Sequence, residues 1–172
     1  IGAYSSRPGA DFVSETDELK RLLPAIETIL KYFPDALLSV DTFRSAVAKK
    51  VIEAGAFMIN DISGGNLDNN MFNFIGENDI PYVLMHMRGT PKTMQTMTDY
   101  NNVTTDVAAE LHKKVTFLEA KGAKQLIIDP GFGFAKTLEQ NYKLLKNITV
   151  FKEFEYPLLI GVSRKSMIYK KL

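Results

Sequence analysis

Short apolar runs that each end in a polar side chain recur along the chain. The polar ends of these runs are Asp41, Asn60, His86, Asp129 and Ser163. Strands that are apolar on both faces are typical of a parallel sheet covered by helices. Because the carboxyl ends of parallel strands open onto one mouth, we predict that the functional site lies where these runs stop.

Helical periodicity marks the segments between the apolar runs. The clearest example places apolar residues every three or four positions: Leu19, Leu22, Leu23, Ile26, Ile29, Leu30 and Phe33. Ser14 is predicted to cap this helix by accepting a hydrogen bond from the backbone N–H of Asp17. Further helices are predicted at residues 44–54, 69–78, 103–118 and 137–146, and from Lys165 onward.

The alternation of strands and helices predicts an α/β fold, either an open doubly wound sheet or a closed (β/α)8 TIM barrel. Polar ends on every strand, and the lack of a glycine-rich dinucleotide turn, favour the barrel. About six of the eight strand-helix units are recognisable in 172 residues, whereas a complete barrel usually needs ~250 residues. We therefore expect residues 1–172 to form one incomplete barrel domain, a fragment that lacks the first and last units.

The composition argues against several classes of partner and site. Lys and Arg total 21 against 20 Asp and Glu, a net charge of +1, so no nucleic-acid partner is expected. No apolar stretch reaches the ~18 residues of a membrane helix and no leader segment is recognisable, which predicts no membrane partner and a cytoplasmic location. The chain has no cysteine, which excludes disulfides and thiolate metal sites.

Asp41, Asn60 and Asp129 are the chemically most informative strand ends. A buried carboxylate needs hydrogen-bond donors, and a ring with adjacent N–H and NH2 groups, such as a 2-amino-pyrimidinone, supplies two in parallel. The three residues together therefore predict an aminopyrimidine pocket. The alternative is that each residue only caps the loop that follows it, as Asp41 could do before Thr42.

Two further segments have the character of anion sites. Residues 5–9, Ser-Ser-Arg-Pro-Gly, place hydroxyls beside a guanidinium, and residues 163–166, Ser-Arg-Lys-Ser, place two cations at a helix start. Lys165 is favoured over Arg164 because a flexible ammonium can reach a ring carbonyl or nitrogen. The alternatives are an ordinary surface turn and a solvated basic helix start.

The segment that follows Asp129, through Thr137, holds two glycines and two phenylalanines. The glycines allow close approach of the backbone, and Phe132 and Phe134 are predicted to offer flat walls to a ring, or else to cover the barrel rim. A long polar segment, residues 87–97, is predicted to act as a lid. His86 is expected to support the site from behind, since a single further histidine makes no histidine metal cluster.

Together these segments resemble the dihydropteroate synthase family, in the same order and over essentially the whole chain. The matching motifs are Ser-Arg-Pro-Gly at 6–9, Val-Asp-Thr at 40–42, Ile-Asn-Asp-Ile-Ser-Gly-Gly at 59–65, Leu-Met-His-Met-Arg-Gly-Thr-Pro at 84–91, Asp-Pro-Gly-Phe-Gly-Phe at 129–134 and Ser-Arg-Lys-Ser at 163–166. The resemblance implies an α/β barrel that joins a hydroxymethyl-dihydropterin diphosphate to 4-aminobenzoate, by way of a cationic pterin methylene.

The resemblance also implies a role for individual residues. Catalytic roles fall to Arg7, Asp41 and Lys165. The pterin would be bound by Asp41, Asn60, Ile62, Met85, Asp129, Gly161 and Lys165. The aminobenzoate and diphosphate would be bound by Ser6, Arg7, Pro8, Phe134 and Ser166.

The family resemblance further implies Mg²⁺ as cofactor, a homodimer, small-molecule substrates and sensitivity to sulfonamides. The expected metal ligand and part of the anion site lie outside these residues, and Ser6 stands where many members have threonine. Two alternatives stay open. One is a pterin-dependent methyltransferase domain, which has no reason to keep both Arg7 and the Lys165-Ser166 pair, and the other is a pterin-binding remnant without catalysis.

Overall fold

The computed structural model describes residues 1–5 and 11–169. Its four strands are β1 (Ser39–Asp41), β2 (Met58–Asp61), β3 (Tyr82–Met85) and β4 (Leu126–Asp129). Its α-helices are α1 (Glu15–Tyr32), α2 (Ser45–Glu53), α3 (Met71–Asn78), α4 (Val103–Ala120), α5 (Leu138–Lys146) and α6 (Ser166–Tyr169). Short 3-10 helices cover Met94–Thr96 and Ile148–Phe154. The predicted alternation of strand and helix is confirmed.

The four strands form one parallel sheet in chain order, β1-β2-β3-β4. Isolated parallel bridges pair Gly2 with Asp41 and Leu158 with Ile128, and so add one chain segment at each edge. Six chain segments therefore lie side by side in the order of the sequence, as the pattern of apolar runs predicts. The predicted strand at 157–162 is reduced to this single bridge, and the sheet of the described residues does not close on itself.

The two faces of the sheet differ in what covers them. Residues paired in a parallel sheet point to the same side and neighbours along a strand point to opposite sides. Val40, Ile59, Leu84 and Ile128 lie on the outer face and are fully buried in the main core, together with apolar side chains from helices α1 to α5. The alternate residues therefore line the inner face of the curved sheet.

The helices cover the outer face because their apolar stripes match it. Helix α1 begins as predicted, with the Ser14 hydroxyl accepting from the Asp17 N–H at 3.1 Å. Leu22 and Ile26 of this helix are buried in the main core, where the helix packs beside α2. Within residues 1–5 and 11–169, no helix is both long and apolar enough to cross a membrane.

Candidate functional site

Asp41 and Asn60 meet at the carboxyl ends of β1 and β2. They are direct partners in the parallel register, and the Asn60 amide donates to the Asp41 carboxylate at 2.7 Å. Gly2 lies against Asp41, where an added Cβ would come within 3.0 Å of the Asp41 Cβ. The predicted pair is thus brought together on the inner face, and the Asn60 amide oxygen remains available to accept a hydrogen bond.

Asp129, Lys165 and Gly161 form a second group two strands away. Asp129 is 5% exposed, and one carboxylate oxygen accepts from the Gly131 N–H at 2.8 Å. A Cβ placed on Gly161 would lie 3.5 Å from the Lys165 Nζ and 3.9 Å from the second Asp129 oxygen. The glycine therefore keeps the space between a carboxylate and an ammonium open for a ligand.

Burial and charge oppose each other in this second group. Burial raises the pKa of Asp129, while the Gly131 N–H and the ammonium groups of Lys165 and Lys136 act to lower it. Burial lowers the pKa of Lys165, and the Asp129 carboxylate opposes that shift. The charge on each group therefore favours the ionised form of the other, in a site from which water is largely excluded.

The two phenylalanines of the turn after Asp129 occupy different environments. This corrects the prediction that both offer a wall to a ligand. Phe134 is half-buried, and the Lys165 Nζ lies 4.8 Å from the centre of its ring. Phe132 is fully buried in the main core, so it offers no wall to a ligand. Its carbonyl accepts a hydrogen bond from Lys165, which leaves Phe134 as the aromatic wall beside the site.

Ile62 and Met85 belong to a smaller apolar cluster on the inner side of the sheet. Its buried members are Met85, Met87, Met94 and Ala135, and Ile62, Leu67 and Phe134 pack against them. Met85 pairs in register with Asp129. Ile62 and Met85, which the family resemblance assigns to the pterin site, therefore lie in one cluster at the carboxyl end of the sheet.

Part of the predicted site lies outside the described residues. This applies to Ser6, Arg7 and Pro8, and to the side chain of Ser166. The backbone places Ser166 at the start of helix α6, one residue after Lys165. The roles expected for these residues stay predictions.

A buried network behind the site was not predicted from the sequence beyond the supporting role of His86. Lys136, 8% exposed, donates to the His86 Nδ1 and to the carbonyls of Gly131 and Phe134, each at 3.0 Å. The His86 Nε2 lies 2.9 Å from the Glu110 carboxylate, which also binds Arg88. We call Lys136, His86, Glu110 and Arg88 the His86 network.

The pKa values of His86 and Glu110 indicate which atoms of the network donate and which accept hydrogen bonds. Burial lowers the pKa of His86 to about 4, so the ring is neutral near pH 7, accepts from Lys136 at Nδ1 and donates to Glu110 from Nε2. Burial acts to raise the pKa of Glu110, but the hydrogen bonds from His86 and Arg88 outweigh it and lower the pKa to about 2. The carboxylate therefore stays ionised.

His86 makes a testable contribution to acid sensitivity. Its folded pKa of about 4 lies below the ordinary value of 6.5, so the unfolded chain binds the extra proton first as pH falls. The free energy of unfolding should therefore drop by roughly 2 kcal/mol between pH 7 and pH 5 on account of His86. Urea unfolding of the wild type and of His86→Gln at both pH values measures this. An equal pH-dependent loss in the variant would contradict the assignment.

Asp61 fixes the turn after β2 from the outer face. Its fully buried carboxylate accepts from the Tyr82 hydroxyl and the Ser63 N–H at 2.7 Å, and from the Gly65 N–H at 2.9 Å. Lys114 donates to the Gly64 carbonyl in the same turn at 2.7 Å. This support holds the segment that carries Asn60 and Ile62. In the sequence, Asp61 is recognised only as part of the family motif at 59–65, without a role of its own.

The segment predicted as a lid is held by specific contacts. The Asn66 amide donates to the Met87 carbonyl at 2.9 Å, and the Arg88 guanidinium lies 3.8 Å from the centre of the Tyr100 ring. A cavity of about 290 Å³ adjoins this segment and is lined by Tyr4, Ser5, Phe12, Phe43, Arg44, Leu67, Thr90, Pro91 and Lys92. The walls of this cavity are mostly apolar, and of its two cationic side chains, Arg44 and Lys92, Arg44 is ion-paired with the buried Glu18.

The described residues do not form a metal site. No group of three or more His, Asp or Glu side chains lies close enough to hold an ion within residues 1–5 and 11–169. The Mg²⁺ that the resemblance implies is therefore not matched by a donor set in this part of the chain.

Comparisons with known proteins agree with this geometry. The family model of pterin binding enzymes matches residues 1–172. The chain is 41% identical over 174 residues to the dihydropteroate synthase of Synechocystis sp., covering 100% of this chain and 60% of that protein. It superposes with a TM-score of 0.93 on the Yersinia pestis dihydropteroate synthase solved with a sulfonamide, at 40% identity, covering 99% of this chain and 62% of the other.

A third relative gives the same result. The dihydropteroate synthase of Xanthomonas albilineans solved with 4-aminobenzoic acid superposes with a TM-score of 0.90 at 35% identity, covering 99% of this chain and 60% of the other. The chain therefore belongs to the pterin binding enzyme family. The resemblance inferred from the motifs is confirmed.

These relatives also confirm the fold class. The fold is an α/β barrel, present here as an incomplete barrel with a parallel sheet that stays open. The chain spans about 60% of the length of the dihydropteroate synthases it matches.

Proposed function

We propose that this protein acts as a dihydropteroate synthase, a transferase of folate biosynthesis that forms a C–N bond. It joins 6-hydroxymethyl-7,8-dihydropterin diphosphate to 4-aminobenzoate and yields 7,8-dihydropteroate and diphosphate. Family membership and several relatives of that name at about 40% identity support the proposal. The motif order over the whole chain supports it as well.

The observation that carries the proposal is the convergence of two polar pairs on the inner face. Asn60 with Asp41 stands on one side, and Asp129 with Lys165 stands on the other. One strand, β3, separates β2 from β4, which corresponds to about 10 Å between their backbones. A bicyclic ring that lies over Met85 can be reached from both sides.

Each polar group then has a distinct part in holding the pterin. The Asp129 oxygen that Gly131 does not occupy accepts from the ring N–H or amino group, and the Asn60 amide oxygen accepts from another. Lys165 donates to a ring carbonyl or nitrogen. The Phe134 ring forms the wall on the side from which 4-aminobenzoate approaches.

Catalysis in this proposal is electrostatic. When the C–O bond to diphosphate breaks, positive charge develops on the pterin methylene, and the Asp129 and Asp41 carboxylates near the ring favour that charge. The aromatic amine then attacks the methylene carbon, and its proton leaves to solvent or to diphosphate. Ser6, Arg7 and Pro8 would receive the departing diphosphate, and Ser166 would bound the aminobenzoate.

The proposal includes several properties that family resemblance alone supports. They are Mg²⁺ as cofactor, with ligands outside the described residues, a homodimer, a cytoplasmic location, and residues 1–172 as one barrel domain that lacks its first and last units. The substrates are small molecules, and neither nucleic acid nor membrane is a proposed partner.

Calorimetry on the full-length protein tests the function. We expect a dihydropterin to bind alone, and 4-aminobenzoate to bind only when diphosphate and Mg²⁺ are present. Arg7→Ala should weaken this diphosphate dependence by at least tenfold. The control Lys49→Ala removes an exposed charge from helix α2 and should change nothing.

Three outcomes would contradict parts of this proposal. Pterin binding without any effect of diphosphate would favour a non-catalytic remnant. Methyl transfer from a methylated pterin, without dihydropteroate formation, would favour the methyltransferase alternative. An unchanged diphosphate dependence in Arg7→Ala would remove Arg7 from the anion site.

A further inference from the structure

The segment from Asp129 to Lys136, here called the Asp129 turn, carries two groups of the proposed site on an unfavourable backbone. Gly131, Gly133 and Ala135 adopt positive φ angles of 70°, 79° and 49°. A left-handed conformation is unfavourable for a residue with a side chain, such as Ala135. A turn of this shape needs contacts from outside to hold it.

Lys136, the last residue of the turn, makes three hydrogen bonds at one atom, two within the turn and one to His86 outside it. Its Nζ donates to the carbonyls of Gly131 and Phe134 and to the His86 Nδ1, each at 3.0 Å. An ammonium has three N–H donors, and here each has an acceptor. The side chain therefore ties the middle of the Asp129 turn to the end of β3.

The position of Lys136 is fixed in its turn by groups far away in the sequence. His86 is 1% exposed and contacts Glu110 of helix α4 through its other nitrogen at 2.9 Å. Glu110 is held by Arg88. A chain of hydrogen bonds thus runs from helix α4 to the carbonyls of the Asp129 turn.

We propose that Lys136 is a positioning residue for the pterin site, holding the Asp129 turn in the shape that presents Asp129 and Phe134 to the ligand, with His86 and Glu110 orienting it. The three N–H donors of Lys136 are already taken by acceptors within the protein, so it acts on the ligand through the turn. The inference rests on the proposed function, because it assigns a role at the same site.

The charge of Lys136 adds an electrostatic part to this role. Among the residues that the structure describes, five charged or titratable groups face it: His86 and Arg88 after β3, Glu110 on α4, Asp129 at the end of β4, and Lys165 before α6. Burial lowers the pKa of Lys136 to about 7, with Asp129 and Glu110 opposing and Lys165 and Arg88 assisting.

Loss of the proton removes both the third donor and the positive charge behind Asp129. Pterin affinity should therefore be highest below about pH 7 and fall as pH rises from 6 to 9. Affinity falls with rising pH because Lys136 is charged only below its folded pKa, and burial brings that pKa down into this range. A residue with a purely structural role would not give this profile.

The test compares variants of the full-length protein by pterin calorimetry, turnover and thermal unfolding. Lys136→Met keeps the volume and removes the charge and all three donors. We expect at least a tenfold rise in the pterin Kd at pH 6.5, and a clearly smaller fall in affinity between pH 6 and 9 than in the wild type. The control Lys143→Met removes an exposed charge from helix α5 and should retain both the affinity and the pH profile.

If Lys136→Met does not fold, a second pair of variants tests the positioning role of Lys136. His86→Leu removes the acceptor at Lys136, whereas His86→Gln offers both an acceptor and a donor of similar reach. We expect about tenfold weaker pterin binding in His86→Leu and no more than a threefold change in His86→Gln. This rescue would not occur if only the bulk of the side chain mattered.

The results separate the inference from the proposed function. If the wild type makes dihydropteroate and Lys136→Met binds pterin within twofold of it with the same pH profile, the positioning role is wrong and the function stands. Equal losses in His86→Leu and His86→Gln would also overturn it. If the wild type neither binds pterin nor forms product, the proposed function fails, and the inference fails with it.

Discussion

Asp129→Asn is expected to weaken pterin binding by roughly 30-fold or more. Asparagine keeps an oxygen that can accept from the Gly131 N–H, now 2.8 Å from the carboxylate, so the Asp129 turn is preserved. It loses the negative charge that faces Lys165 and that would accept the ring donors. Removing one partner of a buried charged hydrogen bond costs about 2–5 kcal/mol. Calorimetry with a dihydropterin measures the loss.

The control for this prediction is Asp35→Asn, which removes the same charge from an exposed position after helix α1. It should leave pterin affinity unchanged. Asp129→Asn should also remain folded, so that the loss in binding far exceeds any change in the free energy of unfolding. Pterin affinity within threefold of the wild type would show that Asp129 does not contact the ring.

Gly131→Ala is expected to have the largest effect on stability. A Cβ at this position would lie 2.0 Å from the His86 carbonyl oxygen, and the residue has a φ of 70°. Backbone must move to relieve such a contact, and the left-handed conformation alone costs about 1–2 kcal/mol for a residue with a side chain. We expect the free energy of unfolding to fall by at least ~3 kcal/mol, measured by urea unfolding.

Gly161→Ala is the matched control for stability. Its Cβ would meet nothing closer than the Lys165 Nζ at 3.5 Å, and its φ is not positive. The same substitution should therefore change the free energy of unfolding by less than about 1 kcal/mol. If the two variants were equally stable, the Asp129 turn would be more adaptable than its contacts indicate.

Much of the fold follows from local features of the sequence. The period of apolar residues predicts helix α1, and Ser14 caps it through Asp17 as expected. The order of strand ends predicts that Asn60 and Asp129 share one edge of the sheet. These features need only neighbours within a few residues, or the rule that parallel strands end on the same side.

Other features depend on contacts between distant segments. Lys136 has the sequence context of a solvated lysine after a turn, yet it is buried against His86, 50 residues earlier. Glu110 lies among apolar residues of a helix and gives no sign of its contact with the same histidine. No local pattern encodes these pairs, because they form only when β3, β4 and helix α4 pack together.

The apolar runs and their polar ends were determined by the sequence itself, since alternation and capping act over short distances. The direction of each side chain was decided by the tertiary structure. Asn60 faces the site while Asp61 supports it from the other face, and Phe134 lines the site while Phe132 fills the core. Alternation places neighbouring residues of a strand on opposite faces, but only the packing of the helices decides which face is the inner one. The positive φ angles of the Asp129 turn are likewise not encoded by any periodic pattern of residues.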